Sequence, residues 1–166
     1  IDTKDPQNFL GGVEIHTVDL MRHLDPNVFS VHCASDNQAF LNYLEQQTGL
    51  RRGEKLFSLR PIGYSSLTTL GEIKRLLLRL RPDILHTQKL KSSIWGRLGA
   101  RIARVPVVIS TLHGAPSFWK KHPVKDMVSR VANAVTTNWC SDASIALSTL
   151  EREYLIQRDR VRPSLV

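Results

Sequence analysis

The chain reads as an α/β protein built on a doubly wound parallel sheet. Three observations carry that reading. Short apolar runs alternate with amphipathic helical stretches along the 166 residues. Residues 81–114 read as strand, loop, helix, strand, with a connection long enough for the right-handed crossover that parallel strands require. Both strands of that stretch break into polar residues at their carboxyl ends, His86-Thr87-Gln88 and His113-Gly114. Open parallel sheets bind ligands at that edge.

The elements follow in order. Gly11-Gly12 should follow a first strand, yet residues 2–8 are loop-like, so that strand is expected to be cut away, with the true amino terminus, before Ile1. The glycines open a helix over residues 13–24, with Val13, Thr17, Leu20 and Leu24 on one face, stopped by Asp25-Pro26. Residues 28–34 alternate like a strand. A helix near 38–47 ends at Gly49, and residues 56–59 form a short strand closed by Pro61. Leu70, Ile73, Leu76, Leu77 and Leu80 line one arc of the next helix, which Pro82 ends. A strand over 83–86 leads to a helix over 92–104, with an apolar stripe of Ile94, Leu98, Ile102 and Val105. Arg97, Arg101 and Arg104 form a basic stripe beside it. Gly96 and Gly99 leave room for close approach to the sheet. The β-branched run 107–112 suits a strand buried on both faces. A helix over 124–139, a strand over 143–147, a helix over 149–158 and the start of a strand over 161–166 complete the pattern.

Composition narrows the function classes. At 42% hydrophobic the chain has core enough for one globular domain, and no run of about 18 apolar residues spans a membrane. No export leader is visible. Cys33 and Cys140 fit no metal spacing and read as free thiols of a reducing, cytoplasmic compartment. Net charge is +8, and between Lys74 and Arg104 nine basic residues stand against one acid, Asp83. Such a patch attracts polyanions: nucleic acid, anionic lipid headgroups or phosphorylated substrates. It can also be a plain solvated face.

Several motifs carry chemistry. Gly11-Gly12 at a helix start forms either a phosphate cradle or a simple turn; it is not the dinucleotide fingerprint G-x-G-x-x-G. His113, ending a buried strand before Gly114, can hydrogen-bond a substrate hydroxyl and exchange a proton near neutral pH, or can satisfy loop carbonyls. His86 is a ligand contact or a paired strand-end histidine. Gln88, Lys89 and Lys91 after it suit an anionic or hydroxylated ligand, or a solvated loop. His16 reads as a packed histidine. No His, Cys, Asp or Glu cluster shows metal-ligand spacing. Phe118-Trp119-Lys120-Lys121 sets aromatics beside lysines, as a membrane-interface segment or as an active-site loop folded inward.

Taken together these residues resemble the amino-terminal domain of retaining glycosyltransferases of the GT-B fold, specifically family 4. Gly11-Gly12-Val13-Glu14-Ile15-His16 is similar to the family's GGxExH. Pro82-Asp83-Ile84-Leu85-His86-Thr87 is similar to its PDIvHtH strand, with Gln88 in place of the second histidine. Gly96 through Arg101, then Thr111, His113 and Gly114, follow its GrlaArlarvPvii.T.HG block, and Ser141-Asp142-Ala143 and Ser148 its aD.viavS strand.

The resemblance implies a Rossmann-like half of a two-domain enzyme, residues 1–166 being the acceptor side and the donor-binding domain being absent. It implies a nucleotide sugar as donor, a glycan or lipid-linked acceptor, and no metal. Gly11 and Gly12 would approach the donor diphosphate and His113 the transferred sugar. His86, Gln88, Lys91 and Gly114 would line the acceptor side. Trp119, Lys120, Lys121, Arg97 and Arg101 would meet an anionic membrane surface at the cytoplasmic face. The fragment alone would be inactive. Rival readings are a non-catalytic basic module for anionic lipid or nucleic acid, though no nucleic-acid motif is present, and half of a sugar-nucleotide epimerase. The leading reading requires His113 and the paired glycines to converge on one crevice.

Overall fold

The structure, a computed structural model, describes residues 11–61, 67–113 and 123–166. The chain forms two compact units, Ile1–Ile62 and Gly63–Val166. All strand pairings are parallel, as the alternation of elements predicts.

In the first unit, α1 (Gly12–His23) leads to β1 (Cys33–Ser35), α2 (Gln38–Thr48) and β2 (Leu56–Ser58). β1 and β2 pair in parallel with Cys33 opposite Leu56. Asn37 caps α2 by accepting from the Phe40 amide at 3.1 Å, and Gly49 ends it at φ 69°, a left-handed position suited to glycine. The core is Val18, Phe40, Leu41, Leu44 and Leu56. The α1 stripe is rotated from the one expected: Glu14 and Val18 are buried, while Val13, Thr17, Leu20 and Leu24 are half-buried. His16 is exposed rather than packed, because burial follows Glu14 and Val18 around the helix. The strand expected from residue 28 is only the three residues of β1, and Val28 and Phe29 are exposed.

The second unit holds α3 (Leu67–Leu80), β3 (Ile84–Gln88), α4 (Leu90–Ala103), β4 (Val107–Leu112), α5 (Pro123–Cys140), β5 (Ala143–Ala146) and α6 (Thr149–Gln157). Its sheet runs β3-β4-β5. Residues 161–166 are not a strand: they close with a 3₁₀ turn, Pro163–Leu165, where proline removes a ladder donor. Ser148 caps α6 by accepting from the Glu151 amide, and the Glu151 carboxylate accepts in return from the Leu147 amide.

α4 buries Ser93, Ile94, Gly96, Arg97, Gly99 and Ala100, a face of small residues around one arginine. Ile102, expected in the apolar stripe, is exposed. A Cβ on Gly96 would lie 2.6 Å from the Thr87 methyl of β3, so this glycine does admit the sheet. One on Gly99 would lie 2.7 Å from an Ile73 methyl, so the second glycine admits α3 instead.

Candidate active site at the carboxyl edge of the second sheet

β3 and β4 run in register with Gln88 opposite Thr111. Side chains alternate between the two faces of a strand. Thr87 and Ser110 turn toward α4, where Thr87 meets Gly96 and Ser110 accepts from Arg97 at 2.6 Å. The residues of opposite parity are His86, Gln88, Thr111 and His113. They join in pairs across the two strands: His86 Nε2 lies 2.8 Å from Thr111 Oγ1, and His113 Nε2 donates to Gln88 Oε1 at 2.8 Å.

Both histidines are half-buried and Thr111 is 1% exposed. The second bond sets the proton of a neutral His113 ring on Nε2, leaving Nδ1 as the basic nitrogen. Such a ring can accept a proton, or as imidazolium face an anion. The sequence marks Thr111 only as part of the strand's motif and not as a site residue, although the two-residue repeat that places His113 also places Thr111 beside it.

Other expected site residues fall as follows. Lys91 is exposed on the first turn of α4, whose amino end opens at this same edge after Lys89, which takes φ 67°. The carboxyl end of β5 adds an open depression of about 480 Å³ lined by Ser144, Ile145, Leu147, Ser148, Thr149 and Arg152. Gly114, Trp119, Lys120 and Lys121 lie outside the described residues.

Arg97 corrects the expectation of a basic surface stripe, for it is 0% exposed. It donates to Asn133 Oδ1 at 2.8 Å, Thr136 Oγ1 at 3.3 Å and Ser110 Oγ at 2.6 Å. Burial pushes its pKa down to about 10. The reason is geometric: a residue one turn from Ser93 and Ala100 must face inward with them. Arg101 is exposed, but it stands about 16 Å along α4 from Leu90, toward the opposite end of the helix from the histidine pairs.

Gly11 and Gly12 open α1 in the first unit, at its amino end. Gly11 has φ −79°, and a Cβ there would sit 3.1 Å from the Glu14 carboxylate. A Cβ on Gly12 would meet nothing within 4 Å. The helix terminus therefore already holds a carboxylate, which complements its dipole and competes with any incoming anion.

Among the described residues no group of His, Cys, Asp and Glu could hold a metal ion, and no helix is long and apolar enough to cross a membrane. Cys33 and Cys140 are free thiols, and burial raises the Cys33 pKa to about 11.

Comparison with known proteins places this geometry. A stretch of 48 residues, 29% of the chain, is 42% identical to the UDP-Gal:alpha-D-GlcNAc-diphosphoundecaprenol alpha-1,3-galactosyltransferase of Escherichia coli. That stretch spans 12% of the relative's length. The profile of Glycosyltransferase Family 4 matches residues 10–166, nearly the whole chain. By that match, and with its parallel α/β sheet, the chain belongs to glycosyltransferase family 4.

Proposed function

We propose that this chain is the acceptor-side half of a GT-B enzyme that transfers a sugar, with retention, from a nucleotide sugar to a lipid-linked acceptor. The observation that carries the proposal is the His113–Gln88 bond at the carboxyl edge of β4, in a chain of this family. The bond to Gln88 fixes the direction of the ring, so its contact with a sugar hydroxyl at this edge would need little further ordering. Protonated, it would sit against charge that develops at the reacting centre.

The relative named above points to the chemical kind of both substrates: its donor is UDP-Gal and its acceptor an alpha-D-GlcNAc carried on diphosphoundecaprenol. We take the donor and acceptor of this protein to belong to the same classes, met at the cytoplasmic face of a membrane. Gly12 is compatible with a donor diphosphate near α1, since a Cβ there would meet nothing within 4 Å among the described residues, although the Glu14 carboxylate beside Gly11 would have to give way to the anion. Positive side chains rather than a metal would neutralise the leaving diphosphate. A second, donor-binding domain completes the enzyme on this reading.

The test is His113→Ala in the full-length protein. Turnover should fall by about 10²–10⁴-fold, the range for a lost acid–base group, with thermal unfolding unaltered because the ring is only half-buried. Near-normal kcat in the folded variant would remove His113 from the reaction.

A further inference from the structure

The helix α5 is inside out. Its buried positions are polar: Ser129, Asn133, Thr136 and Thr137. Its exposed positions are all apolar among those described: Val124, Met127, Val128, Val131, Val135 and Trp139. They range from 52% exposed at Val135 to 78% at Trp139. At about 100° per residue these six fall within an arc of roughly 120°, along a helix about 27 Å long. The buried face is explained by Arg97, whose guanidinium needs Asn133 and Thr136 as acceptors. Among the described residues the outer face stays exposed, and an apolar strip of that extent marks an interaction surface.

Charge on either side of the strip selects the occupant. On one side lies α4, whose Arg101 is close enough to α5 to act on Cys140 and whose Ile102 is also exposed. On the other side runs the segment 158–162. It is held to α5 by the Arg130 Nε–Asp159 bond at 3.0 Å and by the bond from the Asn138 side chain to the Arg160 carbonyl at 2.9 Å. That segment exposes Arg158, Arg160 and Arg162. Its one acid, Asp159, is buried and paired with Arg130. A second copy packing through α5 would bring arginines against arginines on both flanks. A surface of anionic phospholipid matches both parts of the pattern: acyl chains for the valines and Trp139, headgroup phosphates for the arginines.

We infer that the outer face of α5, between Arg101 and the Arg158–Arg162 segment, lies flat on an anionic bilayer. The inference deepens the proposed function and rests on it for the reason a bilayer is met, namely a lipid-linked acceptor. It relocates membrane contact from the stripe of Arg97 to the next helix. Arg101 alone of that stripe is kept, as a flank.

The test uses the full-length protein and vesicles of phosphatidylcholine with or without phosphatidylglycerol. Flotation should require the anionic lipid, weaken severalfold as salt rises, and fall at least tenfold in V131D/V135D. Both sites are exposed, so the variant should keep the wild-type circular dichroism. It should lose transfer to a polyprenol-linked acceptor in vesicles while keeping transfer to a short-chain, water-soluble analogue. Undiminished flotation of the folded variant overturns the inference, as does equal binding to uncharged vesicles. So does a wild-type dimer in sedimentation equilibrium that V131D/V135D dissociates. Wild-type protein that floats but transfers sugar to neither acceptor would sink the glycosyltransferase reading and leave the docking face standing.

Discussion

His113 donates through Nε2 to the Oε1 of Gln88, and the 2.8 Å bond ties the residue after β4 to the last residue of β3. The position that departs from the motif's second histidine thus hydrogen-bonds the histidine of the neighbouring strand end.

Removing the carboxamide should therefore act through His113. Gln88→Ala should lower kcat by roughly tenfold with a smaller change in KM, since a released ring samples unproductive directions. Gln88→Glu should keep the acceptor and restore much of the rate. Its carboxylate would raise the imidazole pKa, so the acid limb of the pH–rate profile should move to higher pH. A Gln88→Ala enzyme with an unchanged kcat and profile would show that the bond has no role in turnover.

The close approach of α4 to β3 makes a second expectation. Gly96→Ala puts a methyl 2.6 Å from the Thr87 methyl and should cost about 1–3 kcal/mol. Thr87→Ser removes that methyl and keeps the hydroxyl that reaches the Ile109 carbonyl. The double variant should recover most of the loss, giving a coupling well above the scatter expected of independent sites. Urea midpoints of the four proteins measure it.

Arg130 and Asp159 supply a pH signature. Burial raises the Asp159 pKa, and the bond from Arg130 opposes that rise without cancelling it. A carboxyl with a raised folded pKa stabilises the fold below its unfolded pKa, and that contribution is lost as pH climbs through the folded value. Arg130→Ala removes the main opposing charge. It should destabilise by about 1–3 kcal/mol at neutral pH, a discounted figure because Arg130 is partly exposed. The deficit should shrink as pH falls below the further-raised Asp159 pKa. Thermal melts across that window report it; a deficit that grows on acidification would contradict the assignment.

Much of this was legible in the residues. Alternating apolar runs gave the parallel α/β class, and polar strand ends located His86, Gln88 and His113, because both signals follow from local geometry. Helix rotation was harder to read. Arg97 looked like part of a solvated stripe because its partners, Ser110 and Asn133, lie 13 and 36 residues away. A guanidinium matched to hydroxyls and an amide leaves no local trace. The same blindness hid α5, whose valines look like core until Asn133 and Thr136 are seen beneath them. Gly99 was recognised as a point of close approach, but only the fold reveals that its neighbour is Ile73.

The buried guanidinium also limits how this sequence can diverge. Ser110, Asn133 and Thr136 receive its hydrogen bonds from three different directions of the core. A leucine at any one of them would take one of three acceptors from a buried cation, and an aliphatic residue at 97 would take the guanidinium from all three. Descendants of this chain can thus exchange the polar set for an oily one only by changing it as a block, so these four positions should drift together while the glycines beside them stay fixed.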